Sequence, residues 1–367
     1  MNNTISNWNG TDYRSIYLRQ LKENPIYFDQ DLNTWIVYSY AHCKTILHHS
    51  DALVPELPVN DKLNEKGRLL INKMVRLSNG EQHHAFRAAA MTVFQKLKNA
   101  STGQLLKELL ADVSTTDGFD WVEVVAKQLP IRLILKGLDF DNEDSNYIAA
   151  NLQSLARIML PNKTERDIQL LNPVVEVVYY LAEKYACRLG LLTGENEMDE
   201  MAICNLIGLF IQSYDAGRGL LCNSLLNRTK CTSGNGTDWK KLVNETLRYD
   251  PPVHNTRRVA ARDISIGGQT IKERDTVMVV LAAANLDDSV FIKPDEFDVM
   301  RSNNHEHLTF GLGGHNCVAK YFCIDMAVDV CRFIADNYPR IRILQKEFIY
   351  EPQLNVRLVK QLMVGLS

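Results

Sequence analysis

Residues 310–319 constrain this chain more than any other stretch. They read Phe310-Gly311-Leu312-Gly313-Gly314-His315-Asn316-Cys317-Val318-Ala319, and a helical run follows at 320–338. Glycines let backbone approach a flat ligand with no Cβ in the way. A thiolate is a soft, strong donor to iron. Backbone N–H groups aimed at its sulfur would stabilise its charge, as would the positive end of the helix that begins there. Taken alone, the same ten residues also read as a buried cysteine in a glycine turn.

The rest of the chain narrows the choice. Its 367 residues are 46% hydrophobic and 23% charged, enough for a sizeable core. A net charge of -3 gives no general reason to bind nucleic acid or an anionic membrane. Residues 1–15 are polar and lack the basic and apolar regions of a secretory signal. The best membrane candidate, 201–210, falls short of the roughly 20 residues that a span needs. A soluble, cytoplasmic monomer without nucleic-acid or membrane partners is therefore expected. The eight cysteines show no C-x-x-C spacing, which in a reducing cytosol argues against disulfides and a zinc ribbon.

Hydrophobic periodicity predicts helices over 81–97, 121–138, 145–159, 165–192, 198–226 and 239–249. Asn235-Gly236 breaks the chain, and Pro251-Pro252 stops the last of these helices. Alternation over 259–280 around Gly267-Gly268 predicts a hairpin or small sheet. Residues 286–307 read as irregular, and a connector that long is functional or pinned by specific contacts. Short strands close the chain. The fold class is mainly α with a minor β region, in one domain over 1–367: a helix-rich part at about 80–250, then a β-containing part at 251–367.

The run Phe310-Gly311-Leu312-Gly313-Gly314-His315-Asn316-Cys317 resembles the haem-binding loop of the cytochrome P450 family, F-G-x-G-x-H/R-x-C-x-G. Only the last glycine is changed, to Ala319. Glu245 and Arg248 resemble the family's E-x-x-R; i and i+3 share a helix face, so they can pair. Pro294, Phe297, Asp298 and Arg301 resemble its P-x-x-F-D-x-x-R connector. The resemblance runs from about residue 80 to the end and implies the cytochrome P450 fold. It also implies a haem b (iron protoporphyrin IX) cofactor, with Cys317 as the iron ligand and Phe310, Gly311 and Ala319 against the haem. His83 with Arg87 resembles an H-x-x-x-R propionate pair, which Arg258 and His315 complete. His84 and Arg257 leave alternative registers for two of these.

The family's central helix carries A-G-x-D/E-T-T, whose acid and first threonine move protons toward the iron. Here the stretch is Gln212-Ser213-Tyr214-Asp215-Ala216-Gly217-Arg218. Asp215 takes the acid position and Ala216 the threonine position, where it offers no hydroxyl. Ser213 or the substrate itself could organise water instead. Arg218 is suggestive of the substrate-carboxylate arginine of peroxygenase relatives, but its helical position turns it away from haem. A salt bridge to Asp215 or a contact with a neighbouring helix is its alternative. Gln212, Val253, His254 and Asn255 are pocket candidates with hydrogen-bonding character, although local backbone could satisfy the polar ones equally well. Residues 51–76 are expected as a variable loop over the pocket, with 159–164 at its mouth.

The resemblance implies an oxidoreductase that activates dioxygen with electrons from a separate ferredoxin or flavodoxin. Its expected substrate is a small, polar specialised metabolite. A peroxide-using peroxygenase and a non-catalytic scaffold of the same fold are the alternatives.

Overall fold

The computed structural model describes residues 12–113, 118–229 and 237–366. The chain opens with α1 (Tyr13–Glu23), β1 (Ile26–Asp29), β2 (Thr34–Val37), α2 (Tyr40–His48), β3 (Ala52–Leu53) and α3 (Glu65–Lys73). Next come α4 (Gly80–Gln95), α5 (Thr102–Leu109), β4 (Phe119–Asp120), α6 (Leu129–Gly137), α7 (Asn142–Ala156), α8 (Glu165–Arg188) and α9 (Asn196–Arg228). After α10 (Trp239–Tyr249) lie β5 (Thr256–Ala260), β6 (Ile264–Ile266), β7 (Gln269–Ile271), β8 (Thr276–Val279) and α11 (Leu281–Ala284). The last elements are α12 (Lys320–Asn337), β9 (Arg342–Ile343) and β10 (Met363–Gly365). The break expected at Asn235-Gly236 lies outside the described residues.

Two compact units divide these elements. One gathers the described residues up to 53, 109–126 and those from 215 onward; the other comprises 54–108 and 127–214. Helix α9 supplies residues to both, with the change at Tyr214 and Asp215.

The first unit is built on a five-stranded sheet in the order β1-β2-β8-β5-β3. Strands β2 and β8 run parallel, with Thr34 opposite Thr276, and the other pairs are antiparallel. Side chains alternate across such a sheet, and here the alternation sorts two cores. Trp35, Val37, Val277 and Val279 join α2 and the segment of Leu308 and Leu312. Ile36, Tyr38, Met278 and Val280 join Tyr13 and Tyr17 of α1. The glycine pair turns the β6–β7 hairpin, with Ile266 opposite Gln269.

The second unit is helical. Val75, Phe86, Ala90 and Met201 form one of its apolar clusters. Phe140 stacks on Tyr185 at 3.6 Å and meets Phe210 edge-on at 5.7 Å. Asn205 of α9 reaches across, accepting from the Val75 N–H at 2.9 Å and donating to the Lys73 carbonyl at 3.0 Å.

Two sequence expectations need correction. The helix expected over 121–138 begins only at Leu129, after β4 and a short π-helical turn at Val122–Ala126. Pro130 explains this: proline is tolerated in a helix's first turn and not in its interior. The stretch 51–76 is not a plain loop, because it carries β3 and α3. The Asn64 side chain caps α3, accepting from the Gly67 N–H at 2.8 Å, and so fixes where this helix starts.

Candidate functional site

The irregular connector before the cysteine loop is fixed by two side chains of α10. Glu245 and Arg248 are fully buried and pair through two hydrogen bonds, 2.7 and 2.9 Å. Arg248 also donates to the carbonyls of Asn285 at 2.9 Å, Pro294 at 2.9 Å and Glu296 at 3.0 Å. Glu245 accepts from the Asp298 N–H at 3.0 Å and from Arg301 Nε at 3.3 Å. Arg301 in turn donates to the carbonyls of Lys293 and Glu296. Pro294, Asp298 and Arg301 of the connector motif thus each meet Glu245 or Arg248, while Phe297 meets the Tyr249 ring edge-on at 5.5 Å.

Sequence reasoning missed the next link. Asn285, fully buried, accepts from the Leu308 N–H at 2.7 Å and donates to Thr309 Oγ1 at 2.9 Å. The Thr309 hydroxyl in turn donates to the Leu247 carbonyl of α10 at 2.7 Å. Neither residue lies in a motif the reading used; only the polar asparagine after three alanines, Ala282 to Ala284, hinted at it.

The loop itself then has little freedom. Gly311 N–H donates to Leu308, Asn316 N–H to Gly313, and Cys317 N–H to the Phe310 carbonyl at 2.9 Å. Gly311 and Gly313 adopt φ of +67° and +68°, a conformation in which a Cβ is strained. At Gly313 a Cβ would stand 2.4 Å from the Leu47 carbonyl oxygen, so the glycine lets the loop lie against the end of α2. Cys317 lies two residues before Ala319, the residue that precedes α12.

Does this set suit haem? Cys317 and the apolar residues around it in sequence, Phe310, Leu312, Val318, Ala319 and Phe322, all remain half-buried, while Leu308 just before them is buried. A soft donor amid partly uncovered apolar side chains fits a flat apolar macrocycle around iron. Arg258 on β5 is buried and donates to Thr256 Oγ1 at 3.0 Å and to the Arg257 carbonyl at 2.8 Å. Its neighbour Arg257 is exposed. His315 is half-buried in the loop. A buried guanidinium and a histidine suit propionates.

In the helical unit, His83 of α4 is buried. Its Nδ1 lies 3.1 Å from Ser78 Oγ and 3.2 Å from the Val75 carbonyl. His84 is exposed and Arg87 half-buried. In both the His83/His84 and the Arg257/Arg258 pairs one member is buried and the other exposed.

The distal candidates divide. Asp215 and Ala216 are half-buried on α9, and burial foremost pushes the Asp215 carboxyl up, Glu351 adding to this and Arg218 opposing it. Ser213 donates its hydroxyl proton to the Phe210 carbonyl at 2.7 Å. Gln212 is exposed and donates to the Gly208 carbonyl at 3.1 Å. Arg218 is buried, but its ion-pair partner is Glu351 at 2.9 Å, and it also donates to the Val359 carbonyl at 3.0 Å. The chain's last segment thus supplies both a carboxylate and a carbonyl to Arg218, whose charge is still felt by Asp215.

His254 and Asn255 depart from the pocket reading. His254 is fully buried, 3.1 Å from the Tyr17 hydroxyl through Nδ1, with its ring 4.6 Å from that of Tyr13. Asn255 is buried and donates to the Leu354 carbonyl at 2.6 Å. Both serve local structure, and only Val253, half-buried and bridged to Val356, keeps an apolar face in this segment.

Residues 239–326 match the family model for cytochrome P450. The biotin biosynthesis cytochrome P450 of Bacillus subtilis (strain 168) is 33% identical over 358 residues, covering 90% of this chain and 89% of that one. Pulcherriminic acid synthase of the same strain is 24% identical over 377 residues, 91% of this chain and 90% of that one. Among solved structures, P450BioI in complex with hexadec-9Z-enoic acid ligated acyl carrier protein has a TM-score of 0.84 at 24% identity, over 98% of this chain and 99% of that one. The mainly helical fold with its small β region is shared with that structure. Among the described residues, no helix is long and apolar enough to cross a membrane.

Proposed function

Given that the chain belongs to the cytochrome P450 family, we propose that it oxidises a small specialised-metabolite substrate with dioxygen, using electrons from a separate ferredoxin or flavodoxin. The cofactor is read as haem b, which supplies the oxidising chemistry when bound. Cys317 would hold its iron, and Arg258 and His315 would hold propionates. His83 and Arg87 keep that role on the strength of their motif.

One observation carries the reading: a half-buried Cys317 presented by a loop that α10, Asn285 and α2 fix from three sides. Such support keeps a ligand sulfur in place and excludes water from behind it. Asp215 is the proton-handling residue. With its carboxyl pushed up by burial it keeps its proton to higher pH than an exposed aspartate, and can hand it on. Ala216 cannot assist, and Ser213, whose proton is committed to Phe210, offers only an acceptor oxygen.

Dioxygen is favoured over peroxide by Arg218, whose guanidinium is engaged by Glu351 and the Val359 carbonyl and is thereby drawn from the role of a substrate-carboxylate anchor. Support for a biosynthetic substrate comes from the names of two relatives. Its polar character is not part of the proposal, since Gln212 and Ser213, like His254 and Asn255, already have partners within the fold.

The test is spectroscopic and then chemical. The reduced, carbon-monoxide-bound protein should show the red-shifted Soret band of thiolate ligation, and Cys317→Ala should abolish it. Candidate substrates that shift the ferric spectrum should then be oxidised with dioxygen and a surrogate ferredoxin pair. An unshifted carbonyl band in folded, haem-loaded protein overturns the assignment of Cys317.

A further inference from the structure

Behind the sheet of the first unit lies a row of tyrosines that the oxidation reaction does not use. The front of that sheet packs with Leu308 and Leu312 of the cysteine-loop segment. Its back packs with Tyr13, Tyr17, Tyr38 and Tyr27. The sheet alone lies between these two sets of side chains. The ring centroids form a continuous path: His254 to Tyr13 4.6 Å, Tyr13 to Tyr17 5.5 Å, Tyr17 to Tyr38 6.0 Å, and Tyr38 to Tyr27 6.2 Å, the last pair parallel within 11°. Tyr17 and Tyr38 are fully buried, whereas Tyr27 is half-exposed.

Resting on the haem assignment above, we propose that Tyr17, Tyr38 and Tyr27 form an outward relay for one-electron oxidation. It would give the protein an ascorbate-supported peroxidase activity that protects it when hydrogen peroxide is present without substrate.

The ends of the row have the proton partners such a relay needs. Oxidation of a tyrosine near neutral pH requires its hydroxyl proton to leave with the electron. At Tyr17 the acceptor, in the tautomer protonated on Nε2, is His254 Nδ1, 3.1 Å away; burial foremost, with Arg357 adding to it, lowers His254 to about 3, so the imidazole is neutral and weakly basic and holds the proton only until Tyr17 is refilled. At Tyr27 the hydroxyl donates to Asp29 Oδ2 at 3.4 Å. Tyr38 bridges the two with its ring and keeps its own proton. Tyr13 is a poorer station, because the Arg14 and Arg357 guanidiniums lie 4.7 and 5.2 Å from its ring and oppose a positive hole.

The balance is as follows. Tyr17 gives an electron toward the peroxide-oxidised centre and its proton to His254. An electron from Tyr27 then refills Tyr17 through the Tyr38 ring, and the proton returns from His254. Tyr27, having passed its proton to Asp29, takes that proton back as ascorbate returns the electron, and ascorbate's own proton goes to solvent. Two passes reduce one hydrogen peroxide to two waters, with two electrons from ascorbate and two protons taken from solvent, to which ascorbate has released two.

The experiment uses haem-loaded full chain whose carbonyl Soret band is first recorded. Hydrogen peroxide is added without substrate, the sample is freeze-quenched, and radicals are read by electron paramagnetic resonance with ring-deuterated tyrosine. Wild type should give a tyrosyl signal that deuteration narrows, and ascorbate should erase it. Tyr17→Phe should lower that signal several-fold and shorten the haem-bleaching half-life several-fold. Tyr38→Phe, which keeps the ring, should behave as wild type. Tyr27→Phe should retain the signal but slow its repair by ascorbate. A loaded wild type with no tyrosyl radical, or a Tyr17→Phe variant with unchanged radical yield and bleaching, overturns the relay. A carbonyl band that is not red-shifted overturns the haem-thiolate assignment instead, so the two failures are distinct.

Discussion

Glu245 and Arg248 sit one helical turn apart on α10, joined by two hydrogen bonds in a place from which water is excluded. A buried ion pair is worth little as a pair, but removing one member strands the other. Arg248 is also the donor to three connector carbonyls. Arg248→Ala should therefore destabilise the haem-loaded protein by about 3–5 kcal/mol, measured by urea unfolding. Haem should be lost at lower urea than from wild type, because the connector leads into the cysteine loop. A change within about 0.5 kcal/mol, the level of an ordinary surface substitution, would remove the clamp from the account.

Two loop glycines with nearly the same backbone angle should respond differently to alanine. At Gly311 the nearest atom to a new Cβ is the His315 carbonyl oxygen at 3.8 Å, so only the left-handed conformation is penalised, by about 1–2 kcal/mol. At Gly313 the same cost is joined by a 2.4 Å clash with the Leu47 carbonyl oxygen, a backbone atom that cannot step aside. Gly313→Ala should lower both haem occupancy and melting temperature well beyond Gly311→Ala. Equal effects would mean that the loop does not rest on α2 as the structure shows.

The glycine loop, the α10 pair and the connector were legible because each joins an unusual residue type to a fixed spacing. Glycine, proline and cysteine leave marks in a sequence that ordinary packing residues do not. Asn285 and Thr309 were not legible, since one asparagine and one threonine become meaningful only when the chain brings residues 247, 285 and 309 together. His254 misled for a related reason. A polar residue after a double proline reads as a pocket group, yet its partners, Tyr13 and Tyr17, lie more than two hundred residues earlier, in a helix that the motifs did not reach. For Arg218, helical spacing pointed to Asp215, and only the return of the last segment revealed Glu351.

Asp215 has a pH signature in stability as well as in turnover. Burial raises its carboxyl above the ordinary 3.8, so the folded chain binds that proton more tightly than the unfolded one. Its contribution is fully present below pH 3.8 and is lost as pH rises through the raised value. Asp215→Asn should remove this decline, so the stability difference between variant and wild type should grow in the variant's favour across that window. Turnover of any substrate should fall about 10²-fold or more, as for loss of a proton donor. Parallel pH–stability curves with undiminished turnover would show that Asp215 carries no proton of consequence.

His307 and His254 both make the fold less stable in acid. Burial is the chief cause that lowers each to about 3, with Lys320 and Arg248 adding to it at His307. An imidazole with a depressed value is neutral in the folded chain and protonates first in the unfolded one. Stability that is fully present above pH 6.5 is therefore lost as pH falls from 6.5 toward about 3. Each histidine contributes a slope of up to about 1.4 kcal/mol per pH unit in that window. His307→Asn keeps an acceptor for the Thr309 N–H, which lies 3.3 Å from Nδ1, but cannot take a proton. Its stability, followed by urea unfolding from neutral pH down to about pH 4, should fall with a slope shallower by close to one proton. The residual slope belongs to His254 and to carboxylates that titrate in the same range. Identical slopes in wild type and variant would mean that His307 gains its proton as readily folded as unfolded, and that its burial beside the cysteine loop has been misjudged.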